Sequence, residues 1–332
     1  MLSVICPIYN EEKYIAACIE SIMAQDYPKD DLEVLLVDGM SSDRTREIIR
    51  DHMSRYPNLR LLDNPEHTAP WAMNRGIAEA RGEIIMRLDA HASYPTNYFS
   101  TLVRRLHELG ADNVGAVCQT DVLHKTPKAL AIREVLSNRF GVGNALFRTG
   151  IKEVQEVDTV PFGCWKREVF DKYGMYDTRL TRNQDIELNK RIIRGGGHIY
   201  LIPDTYCTYY ARETFGKLFQ NNYSNGKWNI LTVYYTGEMR SLSLRHFVPL
   251  IFVLSLLLPF IAGFFWHPLW LIGAASLLAY LTLIGIVSAR LSHTKGLSFF
   301  RLMESFLVLH LSYGLGSLVG ITTLPFVKQK SK

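Results

Sequence analysis

A carboxylate and an imidazole follow one apolar run of the chain. Residues 84–95 read IIMRLDAHASYP, in which Asp89 ends a strand-like segment and His91 comes two residues later. Residues i and i+2 of an extended backbone point to the same side, so both groups can reach one ligand. A carboxylate and an imidazole together suit Mg²⁺ or Mn²⁺. Alternatively, the pair caps the helix that follows.

The residues before and after this pair alternate between two periodicities. The alternation predicts an α/β fold with a mostly parallel sheet, covered on both faces, that binds ligands at the carboxyl ends of its strands. The expected strands are 2–8, 32–37, 59–62, 83–88 and 114–119, and the expected helices are 12–24, 43–55, 70–80 and 95–109. Polar groups then gather along one edge of the sheet: Tyr9, Glu11, Asp38, Asp63, Asp89 and His91.

The loop after the first strand excludes two common phosphate sites. The sequence PIYNEE at 7–12 has none of the glycines that a dinucleotide site needs, and the chain has no GxxxxGK[ST] loop. An acidic edge binds a diphosphate only if a cation screens the charge. A divalent ion held by one or two carboxylates, with phosphate and water completing its shell, meets that need.

The C-terminal third of the chain has the composition of a membrane region. Residues 247–266 and 269–289 contain no Asp, Glu, Lys or Arg, and each is about as long as a bilayer-spanning helix. A third segment, 305–327, has His310 as its only ionisable residue, but several glycines interrupt it. This third segment either crosses the membrane, re-enters it, lies at its interface or packs as a buried helix.

These patterns give a domain organisation and a location. We expect a soluble α/β domain over 1–212, an aromatic and basic membrane-interface segment over 213–246, the transmembrane region over 247–327 and a basic tail over 328–332. The N-terminus has neither a basic flank nor a long apolar core, so we expect no signal peptide and a soluble domain that stays in the cytosol. The expected location is the inner cell membrane, crossed more than once.

Charge and cysteine content support this placement. Five basic residues flank the apolar segments on the side that would be cytosolic: Arg240, Arg245, Arg290, Lys295 and Arg301. Three full crossings would place Lys328, Lys330 and Lys332 outside, against the same rule. The five cysteines lack CxxC spacing, so we expect reduced thiols. The net charge of +5 is modest, and we expect no nucleic-acid partner.

Five motifs in order carry a resemblance to a known family. The stretches VICPIYNEEKYIAACIESIMAQDYP, LLVDGMSSDRT, RLDAHA, VPFGCWKREVFDKYGMYD and RNQDIELNKRI, within residues 1–230, resemble family 2 glycosyltransferases of the GT-A fold. They are most similar to the membrane-bound subgroup that builds bacterial exopolysaccharides. The resemblance implies an enzyme that transfers a sugar from a nucleotide-sugar donor.

The resemblance assigns roles along the acidic edge. It implies that five residues bind the nucleotide: Pro7, Tyr9, Glu11, Asp38 and Asp89. Asp38 would bond the uracil ring of a UDP-sugar. Asp89 and His91 occupy the DxD position of the family, where the side chains hold the donor and, through a metal, its diphosphate. Here His91 stands in place of the second aspartate, which leaves the identity of the metal open.

The motif RNQDIELNKRI supplies the other half of the chemistry. A sugar transferred with inversion needs a base on the face opposite the leaving diphosphate. The resemblance places Asp185 in that role, and we assign Glu187, two residues on, to support of the site. Alternatively, Asn183 and Asp185 cap the helix that runs to Arg194. Capping is compatible with catalysis.

The resemblance also implies binding roles outside the donor edge. Phe162, Gly163 and Trp165 would line the acceptor pocket, with core packing as the alternative for Trp165. Arg212 and Lys227 would steady the leaving diphosphate, or else they are solvated interface charges. The Gln-x-x-Arg-Trp motif of chain-extending synthases survives only as Lys-Trp at 227–228, which favours transfer of a single sugar.

Together these features predict transfer from a UDP-sugar to a lipid-linked saccharide, with membrane lipids around the enzyme. One alternative is a polyprenyl-phosphate sugar synthase, whose acceptor is the lipid phosphate itself. A second is a non-catalytic sugar-nucleotide sensor, for which His91 is the main argument. A transporter is disfavoured, because His310 is the only ionisable group in the apolar segments.

Overall fold

The computed structural model describes residues 1–327, so the predicted basic tail at 328–332 lies outside the described residues. The chain divides into two compact units. The first contains 1–119 and 146–210, and the second contains 120–145 and 211–327. The predicted boundary at 212 falls beside the observed one. Residues 120–145 form an excursion of the chain into the second unit, which no pattern in the sequence indicated.

The first unit is built on one sheet. Within residues 1–327 nine strands form it, in the order β3-β2-β1-β4-β8-β6-β9-β5, with β7 paired to β9. The strands are β1 Leu2–Ile8, β2 Leu32–Asp38, β3 Leu59–Asp63, β4 Ile84–Arg87, β5 Ala92–Ser93, β6 Asn113–Asp121, β7 Gln155–Glu156, β8 Cys164–Lys166 and β9 Ile199–Tyr210.

The sheet is parallel in one half and mixed in the other. Strands β1 to β4 pair in parallel, as the strand and helix alternation predicts. Strand β8 then enters between β4 and β6 and runs antiparallel to both. Strand β9 likewise pairs antiparallel with β5 and β7. The predicted mostly parallel sheet is therefore right for the first four strands, and the remainder is an antiparallel extension.

Helices cover both faces of this sheet. They are α1 Ile15–Met23, α2 Thr45–Met53, α3 Ala69–Glu79, α4 Tyr98–Glu108, α7 Leu146–Thr149, α8 Glu168–Tyr173 and α9 Gln184–Arg194, while α5 and α6 belong to the second unit. Alternate residues of β1 serve two cores: Val4 and Cys6 pack in one cluster and Ile5 in the other. This double burial explains why the parallel strands are almost continuously apolar.

The second unit is helical. It contains α5 Pro127–Ser137, α6 Arg139–Val142, α10 Phe215–Thr236, α11 Val248–Ala262, α12 Leu269–Lys295 and α13 Phe299–Thr323. Among the described residues three spans are long and apolar enough to cross a membrane: Leu244–Ala262, Leu269–Lys295 and Phe299–Phe326.

The third span starts six residues before the predicted start at 305. Arg301 and Glu304 lie in its first turns and form an ion pair of 2.8 Å. Charged side chains at the end of a spanning helix can reach the interface, so the helix extends past the apolar segment. This span is also the most buried of the three, because 33% of its most apolar stretch of 18 residues is buried.

Small residues bring α10 and α13 into close contact. A methyl group at Gly226 of α10 would overlap the carbonyl of Tyr313, and one at Gly316 of α13 would overlap the carbonyl of Tyr223. The Ser317 hydroxyl donates a hydrogen bond of 3.1 Å to the Gly226 carbonyl. The GxxxG sequence that begins at Gly316 therefore packs one helix of this chain against another.

We expect Gly316→Ala to lower the midpoint of thermal unfolding in detergent, because its methyl group has no room. Overpacking of this kind costs about 1–3 kcal/mol. Gly285 of α12 is the matched control, since a methyl group there meets nothing within 4 Å. Gly285→Ala should leave the midpoint unchanged or raise it slightly. Equal midpoints for the two variants would contradict the proposed packing.

Candidate active site

The loops after β1 and β2 are tied to each other by hydrogen bonds. The Asn10 backbone N–H donates to the Ser41 hydroxyl at 2.8 Å, and the Ser42 N–H donates to the Asn10 side chain at 2.9 Å. The Glu11 N–H donates to the Thr45 hydroxyl at 2.8 Å. These bonds fix both loops at the carboxyl end of the sheet, where a ligand is expected.

Left-handed backbone conformations concentrate in the same region. Within residues 1–327, five non-glycine residues have a positive φ: Asn10, Met40, His67, Phe162 and Asn183. The first three lie in the loops after β1, β2 and β3, and the other two precede β8 and α9. Such conformations are costly for L-residues and are found preferentially at ligand sites. These loops therefore have a role beyond connecting strands and helices.

Asp38 is held in place at the end of β2. Its carboxylate is fully buried and accepts hydrogen bonds from the Ser41 hydroxyl at 2.5 Å, the Ser41 N–H at 3.0 Å and Arg46 Nη1 at 2.7 Å. Nη2 of Arg46 also donates to Asp63 at 2.8 Å. Hydrogen bonds to Asp38 and then to Asp63 raise the pKa of Arg46. Because the Asp38 carboxylate is buried and fully bonded, its orientation is fixed.

Tyr9 offers an open aromatic surface beside Asp38. Its residue surface is 52% exposed, and its ring lies edge-on to the His67 ring at a centroid distance of 6.3 Å. His67 Nδ1 lies 2.6 Å from the Gly39 carbonyl, which fixes that imidazole. A flat, partly exposed ring beside fixed polar groups suits a nucleobase. Pro7, in β1, is half-buried at the same strand end.

Asp89 follows β4 and has two different neighbours. Its backbone N–H donates to the Tyr94 hydroxyl at 2.9 Å, which holds the chain in place. Its carboxylate lies 3.3 Å from Nη2 of Arg87, and 22% of the side chain is exposed. The carboxylate is thus accessible from outside and backed by a buried cation.

His91 and Glu11 lie together at this edge. Nδ1 of His91 is 3.3 Å from the Glu11 carboxylate, and the imidazole lies edge-on to Tyr209 at 5.8 Å. Within residues 1–327 no group of three or more His, Cys, Asp or Glu is close enough to hold an ion alone. One carboxylate and one imidazole, those of Asp89 and His91, fit a cation that takes most of its ligands from a diphosphate and water, as Mg²⁺ does in nucleotide sites.

Asp185 lies in the first turn of α9. Asn183 precedes the helix with φ 60° and its side chain makes no capping bond, so the capping interpretation does not hold for Asn183. The Asp185 side chain is half-buried and accepts a bond of 3.0 Å from the adjacent Ile186 N–H. The helix dipole favours a negative charge at this position.

A buried amide network orients the helix that carries Asp185. The Asn113 side chain donates to Asn189 at 2.8 Å, and Asn189 donates to the Thr159 hydroxyl at 3.0 Å. Asn189 follows Asp185 by four residues, so the two occupy neighbouring positions on the helix. Glu187, by contrast, is buried in an ion pair of 2.7 Å with Arg191. The supporting role of Glu187 at the site stays a prediction.

The predicted acceptor residues differ in burial and in backbone conformation. Trp165 is 1% exposed and packs against Phe170 and Tyr176, and its indole Nε1 has no hydrogen-bond partner among the described residues. The structure therefore favours the core alternative for Trp165, whose ring has no free face to stack on a sugar. Phe162 is 8% exposed, and Gly163 has a φ of 100°. Both lie in the strained turn into β8, beside the end of β4.

The two predicted diphosphate residues belong to the second unit. Arg212 is exposed and directly precedes the segment that leads into α10. Lys227 is half-buried within α10. Its carbonyl oxygen lies against Gly320 of α13, where the two helices contact each other. Their contribution to diphosphate binding stays a prediction.

Three residues of this region were missed from the sequence. Arg46 joins Asp38 to Asp63, His67 faces Tyr9, and Arg87 backs Asp89. Arg87 had a detectable signal, because it precedes Asp89 by two residues in a strand and so shares its side of the sheet. The roles of Arg46 and His67 depend on contacts between loops that the sequence pattern does not specify.

Comparison with known proteins identifies the class. The profile of the family Glycosyl transferase family 2 matches residues 3–174. The succinoglycan biosynthesis protein ExoA of Rhizobium meliloti (strain 1021) is 31% identical over 226 residues, which cover 68% of this chain and 67% of that protein. The chain belongs to glycosyltransferase family 2. It is a glycosyltransferase of polysaccharide or glycan biosynthesis, as its motifs predict.

Other relatives and structures agree with this assignment. A Methanococcus voltae protein named dolichyl N-acetyl-alpha-D-glucosaminyl phosphate 3-beta-D-2,3-diacetamido-2,3-dideoxy-beta-D-glucuronosyltransferase is 26% identical, over 68% of this chain and 71% of its own length. The mannosyltransferase PcManGT of Pyrobaculum calidifontis, solved with GDP-Man and Mn²⁺, superposes with a TM-score of 0.61 at 20% identity and covers 95% of this chain and 86% of its own. The predicted GT-A fold is confirmed.

Proposed function

We propose that this enzyme transfers one sugar from a UDP-sugar to a lipid-linked saccharide at the cytosolic face of the cell membrane. The proposal rests on two carboxylates that lie in different environments. Asp89 follows β4 at the nucleotide-binding edge and contacts the buried cation Arg87 at 3.3 Å, whereas Asp185 lies in the first turn of α9. One carboxylate serves the donor and the other serves the acceptor.

On the donor side, Tyr9 stacks against the base, and the buried Asp38 holds the loop beside it through bonds to Ser41 and Arg46. Asp89 and His91 would hold a divalent cation, Mg²⁺ or Mn²⁺, which screens the diphosphate and eases its departure. Glu11 lies 3.3 Å from His91 and can orient that imidazole. PcManGT was solved with GDP-Man and Mn²⁺, which supports the use of a divalent cation with a nucleotide sugar in this enzyme too.

On the acceptor side, Asp185 acts as the general base. It takes the proton from the acceptor hydroxyl as the oxygen attacks the anomeric carbon. The bond between that carbon and the diphosphate oxygen breaks at the same time, and the nucleoside diphosphate leaves with the electron pair. A single displacement of this kind inverts the anomeric centre, so an α-linked donor gives a β-linked product.

The membrane region supports a lipid-linked acceptor. Three candidate spanning helices follow the catalytic unit, and the Methanococcus voltae relative has a lipid-linked sugar phosphate in its name. A lipid-linked saccharide presented at the membrane surface suits an enzyme with this architecture. Arg240, before the first span, and Arg290, near the C-terminal end of the second, are exposed and favour the cytosolic side.

A donor panel tests the proposal. Detergent-purified enzyme with native lipid extract is given UDP-, GDP- and dTDP-sugars in the presence of Mn²⁺, Mg²⁺ or a chelator, and nucleotide release is measured. We expect cation-dependent release from one UDP-sugar and incorporation of its sugar into the lipid fraction. Equal transfer to free soluble sugars would contradict the lipid-linked acceptor, and release from a GDP-sugar would contradict the donor.

A polyprenyl-phosphate sugar synthase is the second candidate. A Trichomonas vaginalis relative named dolichyl-phosphate beta-glucosyltransferase ALG5C is 27% identical over 46% of this chain. Mild acid separates the two activities, because a sugar phosphodiester is labile whereas a glycoside is stable. We expect the sugar transferred by this enzyme to survive mild acid treatment.

A further inference from the structure

Arg87 is a buried cation on the side of the sheet that faces α9. Residues 85, 87 and 89 alternate onto one face of β4 and its extension, and Ile85 packs in the same core cluster as Leu188 and Ile192 of α9. Arg87 is 8% exposed, and its backbone N–H donates to the Gly163 carbonyl at 3.1 Å. Its side chain therefore lies in the layer between the donor strand and the helix that begins with the base.

Two carboxylates act on this guanidinium. Nη2 lies 3.3 Å from the Asp89 carboxylate. Burial by itself disfavours the charge, but the neighbouring groups outweigh burial and raise the pKa of Arg87 above its ordinary value, Asp89 most strongly, then Tyr176 and then Asp185. Tyr176, a buried neighbour, is kept neutral because burial raises the pKa of its hydroxyl. Arg87 is thus a buried cation in direct contact with the carboxylate of Asp89.

The hydrogen bonding of Arg87 is incomplete. Its Nε and Nη1 atoms are buried and have no hydrogen-bond partner among residues 1–327. Arg46 is different, since its two terminal nitrogens bond Asp38 and Asp63. Unsatisfied buried donors destabilise the fold, and an apolar side chain of similar size would avoid that cost. Fold stability alone therefore does not explain an arginine at this position.

We propose that Arg87 is a positioning residue, whose buried guanidinium is the common counter-charge that orients the donor carboxylate Asp89 and the base Asp185. The proposal rests on the proposed function, in which these two carboxylates serve donor and acceptor. Arg87 acts through both carboxylates and does not itself touch the reacting atoms.

This role has opposite consequences for metal binding and for turnover. The guanidinium lies beside Asp89, so it repels a divalent cation that binds there. Loss of the positive charge should strengthen cation binding. The same loss leaves Asp89 and Asp185 to repel each other and frees the base from its orientation, so transfer should slow. A purely structural arginine predicts a different pattern, in which both properties weaken with stability.

The test compares Arg87→Met with Arg87→Lys in full-length enzyme. Binding of Mn²⁺ in the presence of UDP is measured by electron paramagnetic resonance, and kcat and KM are measured with the donor identified by the panel. For Arg87→Met we expect the Kd for Mn²⁺ to fall about 10-fold, as for removal of one nearby like charge, and kcat to fall about 10- to 100-fold. Arg87→Lys keeps the charge and should keep the wild-type Kd and most of kcat.

Three results would overturn the inference. One is an Arg87→Met enzyme with wild-type kcat, another is weaker Mn²⁺ binding in a variant that unfolds at the wild-type temperature, and the third is an Arg87→Lys enzyme as impaired as Arg87→Met. If Arg87→Met does not fold, Arg87→Lys alone decides. Wild-type enzyme that transfers no sugar would refute the proposed function instead, and the Mn²⁺ measurement would still test the charge of Arg87.

Discussion

Asp185→Asn should reduce kcat for sugar transfer by about 10²–10⁴-fold, the usual contribution of a general base. The amide has nearly the shape of the carboxylate but cannot accept the proton of the acceptor hydroxyl. Asp185 is half-buried in the first turn of α9, so the substitution should leave the fold and donor binding intact. Initial rates of transfer and the Kd for UDP, measured on the same preparation, check both expectations.

Glu187→Gln is the matched control for this loss. Glu187 lies in the same helix, but its carboxylate is buried in an ion pair with Arg191, which also donates to the carbonyls of Tyr173 and Met175. Its neutralisation should lower the unfolding temperature more than it lowers kcat. If Glu187→Gln abolished transfer while Asp185→Asn remained active, the assignment of the base would be wrong.

The parallel part of the fold was predictable because two local sequence patterns indicate it: the continuously apolar strands and the polar residues that follow them. Strand β1 was predicted at its observed bounds, Leu2–Ile8, since a short, continuously apolar run is what a doubly covered strand requires. The polar residues that follow β1, β2 and β4 were expected at one edge by the geometry of parallel sheets alone. Their grouping is seen in the bonds between the loops that contain Asn10 and Ser41.

Other features depend on contacts that are distant in sequence. Strand β8 has three residues, and its position between β4 and β6 follows from pairing with segments about 50 and 80 residues away. Trp165 lies in that strand, where burial in the core decides its role more than its motif does. The excursion at 120–145 joins the helical unit through Ile132 and Val135, which pack with Leu302 and Phe306. No periodicity in the sequence indicates that partnership.

The glycines of α13 show how a weak motif gains meaning from its partner. Gly316 and Gly320 alone indicate only that a helix can be approached closely. Gly226 of α10 provides the matching small residue, and the Asn229 side chain adds a bond of 2.9 Å to the Tyr313 hydroxyl. The helix is thus continuous despite the glycines that weakened the sequence prediction, because packing stabilises it.

Asp89→Asn should lower kcat/KM by at least about 10²-fold, comparable with the loss of one group that stabilises developing charge. The variant removes a charge from the cation site and also leaves the buried Arg87 without the carboxylate at 3.3 Å. The rate should therefore respond only weakly to Mn²⁺ concentration. Titration of initial rate against Mn²⁺ tests this, and Asp63→Asn is the control, since Asp63 is an exposed carboxylate that pairs with Arg46.

His91→Asp then tests why an imidazole stands in the second position of this motif. A second carboxylate creates an all-oxygen donor pair, which favours Mg²⁺ more than an imidazole does. It also places a negative charge beside Glu11, whose carboxylate now lies 3.3 Å from His91, so cation binding should become obligatory. We expect the ratio of the Mg²⁺-supported rate to the Mn²⁺-supported rate to rise. An unchanged ratio would mean that His91 orients Glu11 and does not ligate the cation.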